Sequence, residues 1–147
     1  MFLINWFKGN NKEDCIFCKI ISGEAPCTKY YEDEECLVFK DIKPASTHHL
    51  LAIPKMHIKN IDSLTKKDIP LVQKMVECSK KALKDLQGDM EKVLLGFHCP
   101  PFNSVPHLHL HIISPIDQMS YLNKLVYKPE LQWFCTAEDV IAKLENS

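Results

Sequence analysis

The chain has no apolar run long enough to cross a membrane, and no excess of either charge: 18 basic residues face 19 acidic ones, for a formal net charge of −1. The first absence excludes a transmembrane helix, which needs about 20 consecutive apolar residues. The second removes any electrostatic ground for sequence-independent binding to nucleic acid or an anionic membrane, and no long basic stretch restores it. Internal repeats, low-complexity segments and interdomain linkers are also missing, so the 147 residues read as one domain with a core of its own. Cysteine is not scarce, but the seven are odd in number and irregularly spaced after the first pair. No disulfide framework is expected from them, and the reading is a reducing, cytoplasmic setting with a nuclear share left open. Cys27, Cys36, Cys78, Cys99 and Cys135 have apolar or small neighbours and are expected as buried small hydrophobes.

The opening stretch "MFLINWFKGNNKED" is apolar for seven residues and then polar. No basic n-region or small-residue cleavage site accompanies it. It is expected to be a flexible arm over residues 1–14 ahead of a folded domain over 15–147, with Phe2, Trp6 and Phe7 offering at most a weak interfacial anchor.

Within the domain, "TKYYEDEECLVFKDIKP" reads as two strands around an acidic turn, and "LLAIP" as a third strand buried on both faces. From Leu64 to Leu86, Ile69, Val72, Val76, Leu83 and Leu86 recur at helical steps. Pro70 is tolerable only in the first turn, so this helix should begin near Thr65 or Asp68, with Gly88 ending it. "KVLLGFH" and "HLHLHII" are the fourth and fifth strands, joined by the irregular "CPPFNSVP". Thr136, three residues before Asp139, announces a short terminal helix. The expected fold is α+β: an antiparallel sheet of about five strands, one long helix and a short C-terminal helix.

His107, His109 and His111 alternate with Leu108 and Leu110. On a strand the imidazoles share one face, about 6.5–7 Å apart, while the leucines enter the core. A row of three gives up sheet packing on its face and calls for a chemical reason. Two remain open on spacing alone. Neighbouring imidazoles supply metal ligands, or the middle one is a nucleophile whose partners set its tautomer and bind the electrophile's oxygens. Separately, "CIFC" spaces Cys15 and Cys18 to grip one zinc, which is half a site.

"HLHLHII", together with "CIFCKI" and "FKDIKPASTHHLLAIPKMHI", resembles the histidine triad (HIT) superfamily of nucleotide hydrolases and transferases, and "GFHCPPFNSVPHLHLHIISP" with "KLVYKPELQWFCTAEDVIAKL" beyond it is most similar to its third Hint branch, near aprataxin. That resemblance implies a HIT-like fold and cleavage of purine nucleoside 5'-phosphoramidates without a catalytic cofactor. The nucleophile would be His109, forming a nucleotidyl-histidine, with His111 on the phosphate and His107 and His49 lining the site. Ser104 would bind phosphate or leaving group, with Asn103 beside it. His98 would protonate the leaving group or simply cap the Pro100–Pro101 loop. Asp41 would accept the ribose hydroxyls. Ile16, Phe17, Ile20, Phe39, Ile42 and Leu51 would sandwich the base, although on sequence alone they read as core. In some relatives the cysteine pair is completed by histidines matching His49 and His107, which gives a structural zinc on Cys15, Cys18, His49 and His107. The resemblance also implies a homodimer, with Val72, Met75, Val76 and Ser79 weighed as contacts. Related alternatives are a dinucleoside polyphosphate hydrolase and an aprataxin-like deadenylase; a zinc- or nucleotide-binding module with vestigial activity is a third. His57 reads as structural and His48 as exposed.

Overall fold

The structure, a computed structural model, describes residues 12–147. The expected arm lies outside the described residues except for a single 3-10 turn at Lys12–Asp14. No helix among the described residues is long and apolar enough to cross a membrane.

Six antiparallel strands form one sheet: β1 (Lys29–Glu32), β2 (Cys36–Lys40), β3 (His48–Pro54), β4 (Leu94–His98), β5 (Leu110–Ser114) and β6 (Phe134–Thr136), in the order β1-β2-β3-β5-β4-β6. The helices are α1 (Ile16–Ser22), α2 (Ile69–Asp85), α3 (Tyr121–Val126) and α4 (Ala137–Glu145). The fold class is as expected, with one more strand. β6 has no signal of its own in the sequence, because three residues carry too little alternation, and only pairing with β4 makes them a strand. β5 begins at Leu110 rather than His107, since its ladder with β3 starts where Leu110 meets Ala52.

The alternation of the sequence decides what each face of the sheet meets. Cys36, Val38, Leu50, Ala52, Phe97, Leu108, Leu110 and Ile112 point to α2 and α4 and make the main core with Val72, Met75, Cys78, Ala82 and Leu83. The opposite face carries the histidines. It is covered at one end by α1, whose Phe17 and Ile20 pack on Leu37, Phe39, Leu51 and Ile53. At the other end Ala45, Leu94, Ile113, Met119 and Phe134 form a smaller cluster. Between these two apolar covers runs the polar strip.

Helix α2 starts as expected. Thr65 and Asp68 form a reciprocal capping box over one 3-10 turn, and Pro70 occupies the first turn, where its missing N–H costs nothing. Its end differs in detail: the left-handed residue is Gln87, at φ 59, and Gly88 follows with its N–H on the Leu83 carbonyl at 2.9 Å. Glycine stands at 88 for space, because a Cβ there would lie 2.3 Å from Leu83 Cδ1. Val72, Met75 and Ser79, weighed as dimer contacts, are fully buried within the chain. At α4 the Thr136–Asp139 capping box is present. Cys99 and Cys135 meet across β4 and β6, Sγ to Sγ at 3.2 Å, and burial pushes the Cys135 thiol up to about 12, which keeps it protonated and inert.

Gly96 sits on the histidine face, paired with His111 and with Thr136. A Cβ there would stand 2.4 Å from Phe134 Cε2 and 2.7 Å from the Cys135 carbonyl oxygen. The ring of Phe134 therefore fills the place of a side chain, and β6 can close only over glycine. Gly96→Ala is expected to destabilise the fold by about 1–3 kcal/mol through overpacking. A urea midpoint unchanged from wild type would contradict this close approach.

Candidate active site

The polar strip is a set of imidazoles whose protons are placed by the backbone. Neutral imidazole has one donor and one acceptor nitrogen, so a single contact with a group that can only donate or only accept settles both. The Ala45 N–H donates to His49 Nδ1 at 2.9 Å, which puts the His49 proton on Nε2. His49 Nε2 lies 2.9 Å from His111 Nδ1 and 3.3 Å from Asp41 Oδ2, and both can accept it. His111 then carries its proton on Nε2, 3.3 Å from His98 Nδ1. His98 in turn carries its own on Nε2, 3.1 Å from the Val126 carbonyl oxygen. The chain runs Ala45, His49, His111, His98, Val126, and both ends demand the same direction.

His109 is set separately. Its Nδ1–H donates to the His107 carbonyl at 2.7 Å, so the lone pair is on Nε2. The ring lies edge-on to Phe17, with centroids 5.2 Å apart, and to His111 at 5.1 Å. Burial holds His109 and His49 down to about 4 and His111 well below the usual imidazole range, so all three are neutral at neutral pH. His49 therefore stands beside Asp41 as a neutral ring and not as half of an ion pair, and burial raises the Asp41 carboxyl rather than lowering it.

His107 faces the other way. Its Nε2–H donates to the Pro54 carbonyl at 2.9 Å, and its Nδ1 looks onto Cys15 Sγ at 3.3 Å, Cys18 Sγ at 3.6 Å and His57 Nδ1 at 3.2 Å. Cys18 Sγ and His57 Nδ1 are 3.3 Å apart. Four donors about 2.0–2.3 Å from one zinc stand about 3.3–3.8 Å from each other at tetrahedral angles, so this quartet fits the ion. The donor set differs from expectation: His57 takes the place given to His49, which is engaged with Asp41 and His111. Cys15 caps α1, its sulfur accepting the Cys18 N–H at 3.4 Å, and that turn brings both thiols to one side.

Of the expected base-slot residues, Phe17, Ile20, Phe39 and Leu51 lie in one buried cluster with Ile16 packed against it. Ile42 does not join them; it is 82% exposed, because β2 ends at Lys40 and the chain turns outward. Asn103 bonds the Val105 carbonyl and Ser104 is exposed on the same loop. A cavity of about 10 Å³ touches His98, Asn103, His107 and His109. His48, expected to be exposed, is half-buried.

Residues 14–127 match the family model described as scavenger mRNA decapping enzyme C-term binding. A HIT family hydrolase from Clostridium thermocellum superposes with a TM-score of 0.68 at 35% identity, covering 75% of this chain and 97% of the other. Adenosine 5'-monophosphoramidase HINT3 of Xenopus tropicalis is 41% identical over 135 residues, 90% of this chain and 88% of the relative. The chain belongs to the HIT superfamily. Among further HIT relatives, the bifunctional adenosine 5'-phosphosulfate phosphorylase/adenylylsulfatase HINT4 of Arabidopsis thaliana is 36% identical, with 88% of this chain and 90% of its own length covered.

Two side chains of this HIT site gave no usable signal in the sequence. His57 falls three residues after β3 in "PKMH", and Tyr127 follows α3 in a segment without periodicity. Tyr127 nonetheless packs its ring on His49, His98 and His111.

Neutral buried imidazoles have a stability consequence. Unfolded, each takes up a proton below about pH 6.5; folded, His49 does so only near 4, and burial holds His111 well below its ordinary range. The unfolded state therefore binds more protons in that interval, and stability falls as pH drops from about 6.5 toward 4. The urea midpoint should already decline in the upper part of this window, between about pH 6.5 and 5, above the ordinary carboxylate range; a flat midpoint there would mean the rings are not held neutral.

Proposed function

We propose that this chain is a hydrolase of purine nucleoside 5'-phosphoramidates that works through a covalent nucleotidyl-histidine on His109. The observation that carries the reading is the His109–His107 backbone bond, which leaves an unprotonated Nε2 on a buried, neutral ring beside an apolar cluster and Asp41. The naming of a 41% identical relative as an adenosine 5'-monophosphoramidase supports the same substrate class.

In this reading Nε2 of His109 attacks the α-phosphorus. The P–N bond breaks, and nitrogen takes the bonding pair and a proton from solvent water and leaves as the amine; the water that later attacks phosphorus returns one proton to solvent. The positive charge that develops on the imidazole strengthens its Nδ1–H bond to the His107 carbonyl, which is already in place and needs no reorganisation. Water then attacks phosphorus, releasing the nucleoside monophosphate and free His109. His111 and His49 hold their protons in the relay beside the reacting oxygens, and Asp41 is the acceptor for the ribose. The proton of His98 is directed to Val126, so the geometry supports a place in the relay better than a role as acid for the leaving group. Adenosine 5'-phosphosulfate belongs in the same assay, because a relative is named for its cleavage.

Zinc on Cys15, Cys18, His57 and His107 is a second proposal, and a structural one. It would pin α1 and the loop after β3 to the start of the triad while leaving His109 outside its ligand set. Metal analysis should find one zinc per wild-type chain, lost in His57→Ala and kept in His49→Ala. Retention in His57→Ala would return the ligand to another residue.

The reaction is tested by intact-protein mass after rapid quench with adenosine 5'-phosphoramidate. An adenylyl gain is expected in wild type and absent in His109→Ala, with turnover reduced by on the order of a thousandfold or more while nucleotide binding is nearly kept. Wild-type turnover in His109→Ala would sink the mechanism.

A further inference from the structure

The relay ends on a segment outside the triad strand and its neighbours. Val126, whose carbonyl accepts the last proton, is the final residue of α3, and Tyr127 follows it. The Tyr127 ring touches three of the relay's members at once: His49 at 5.4 Å between centroids, His98 at 5.1 Å and His111 at 5.2 Å. Phe134 backs it at 5.7 Å. The segment is tied down on both sides, by Trp133 Nε1–H on the Leu125 carbonyl at 3.0 Å and by the Cys99 N–H on the Trp133 carbonyl at 2.8 Å.

Tyr127 also lines a cavity of about 460 Å³ with Leu94, Ile116, Met119, Tyr121 and Leu125. Tyr121 is 84% exposed, so that cavity opens to solvent at α3. The one ring thus borders both an accessible space and the imidazoles of the relay. Water is both donor and acceptor and would satisfy either tautomer of His98 equally.

We propose that Tyr127 is a positioning residue for the reaction: its ring is the partition that keeps solvent in the α3 cavity off the His49–His111–His98 chain, and docking of its segment holds the Val126 carbonyl on His98. This rests on the reading of His109 as nucleophile, because the relay matters to turnover through His111 at the reaction site. The ring does the work and the hydroxyl is dispensable. Loss of the ring affects the chemical step more than nucleotide binding, since the apolar cluster around Phe17 and Phe39 is not touched.

The test uses the ¹⁵N-labelled full chain. Long-range ¹H–¹⁵N correlation of the imidazoles at neutral pH is expected to show His98 and His111 as single Nε2–H tautomers in wild type. Tyr127→Ala should give averaged tautomers at both, with kcat lowered about tenfold to a hundredfold and KM moved less than about threefold. Tyr127→Phe should restore the wild-type tautomers. Should Tyr127→Ala not fold, Tyr127→Leu, also too small to close the gap, carries the same comparison. Unchanged tautomers in the ring-less variant overturn the proposal, as does a Tyr127→Phe protein that behaves like Tyr127→Ala. If wild type itself shows no phosphoramidate cleavage, the functional reading fails, and the tautomer spectra still decide the role of Tyr127 in the relay.

Discussion

Backbone groups choosing the protonated nitrogen of each buried imidazole is the interaction on which the rest of this molecule depends. Four such contacts are enough: the Ala45 amide and the carbonyls of Pro54, His107 and Val126. A peptide N–H cannot accept and a peptide C=O cannot donate, so the choice is made by sterically fixed dipoles and not by titration. Burial reinforces it by depressing the imidazole pKa values, so that no ring escapes the choice by taking a second proton. The lone pair of His109, the donor face of His107 and the direction of the relay are three readouts of one device.

The sheet makes this device constructible. Its histidine face has an apolar cover at each end, α1 and the Phe134 cluster, with the imidazoles in the strip between them. Strand pairing sets His111 between Leu51 and Gly96, and the missing side chain of Gly96 is where Phe134 lies. Phe134 in turn backs Tyr127. A glycine on β4 is therefore coupled through two rings to the protonation pattern of the site.

His107 joins two regions of different chemistry. Its ring belongs to the sulfur–nitrogen quartet while its carbonyl serves His109. Anything that orients the quartet also orients the acceptor behind the nucleophile, although the two sites share no side-chain atom. The proximity is local: ahead of β5 the chain folds so that the His107 carbonyl meets the His109 ring two residues on.

What the sequence determined by itself is what short-range periodicity can carry. The leucine–histidine alternation, the helical recurrence from Ile69 to Leu83, and the Thr65 and Thr136 starts with their carboxylate partners three residues on are all local, and the structure has them. The pattern of motifs also pointed to the family. Tertiary structure decided the partners of each side chain. Cys18 meets His57 across 39 positions, His98 meets Val126 across 28, and β6 exists only as the edge partner of β4. His49 and His57 are equivalent to any composition or spacing rule, and chain direction after β3 sends one to the relay and the other to the thiols. No periodic signal links such pairs, because the chain between them is free to take many paths until the core closes and selects one.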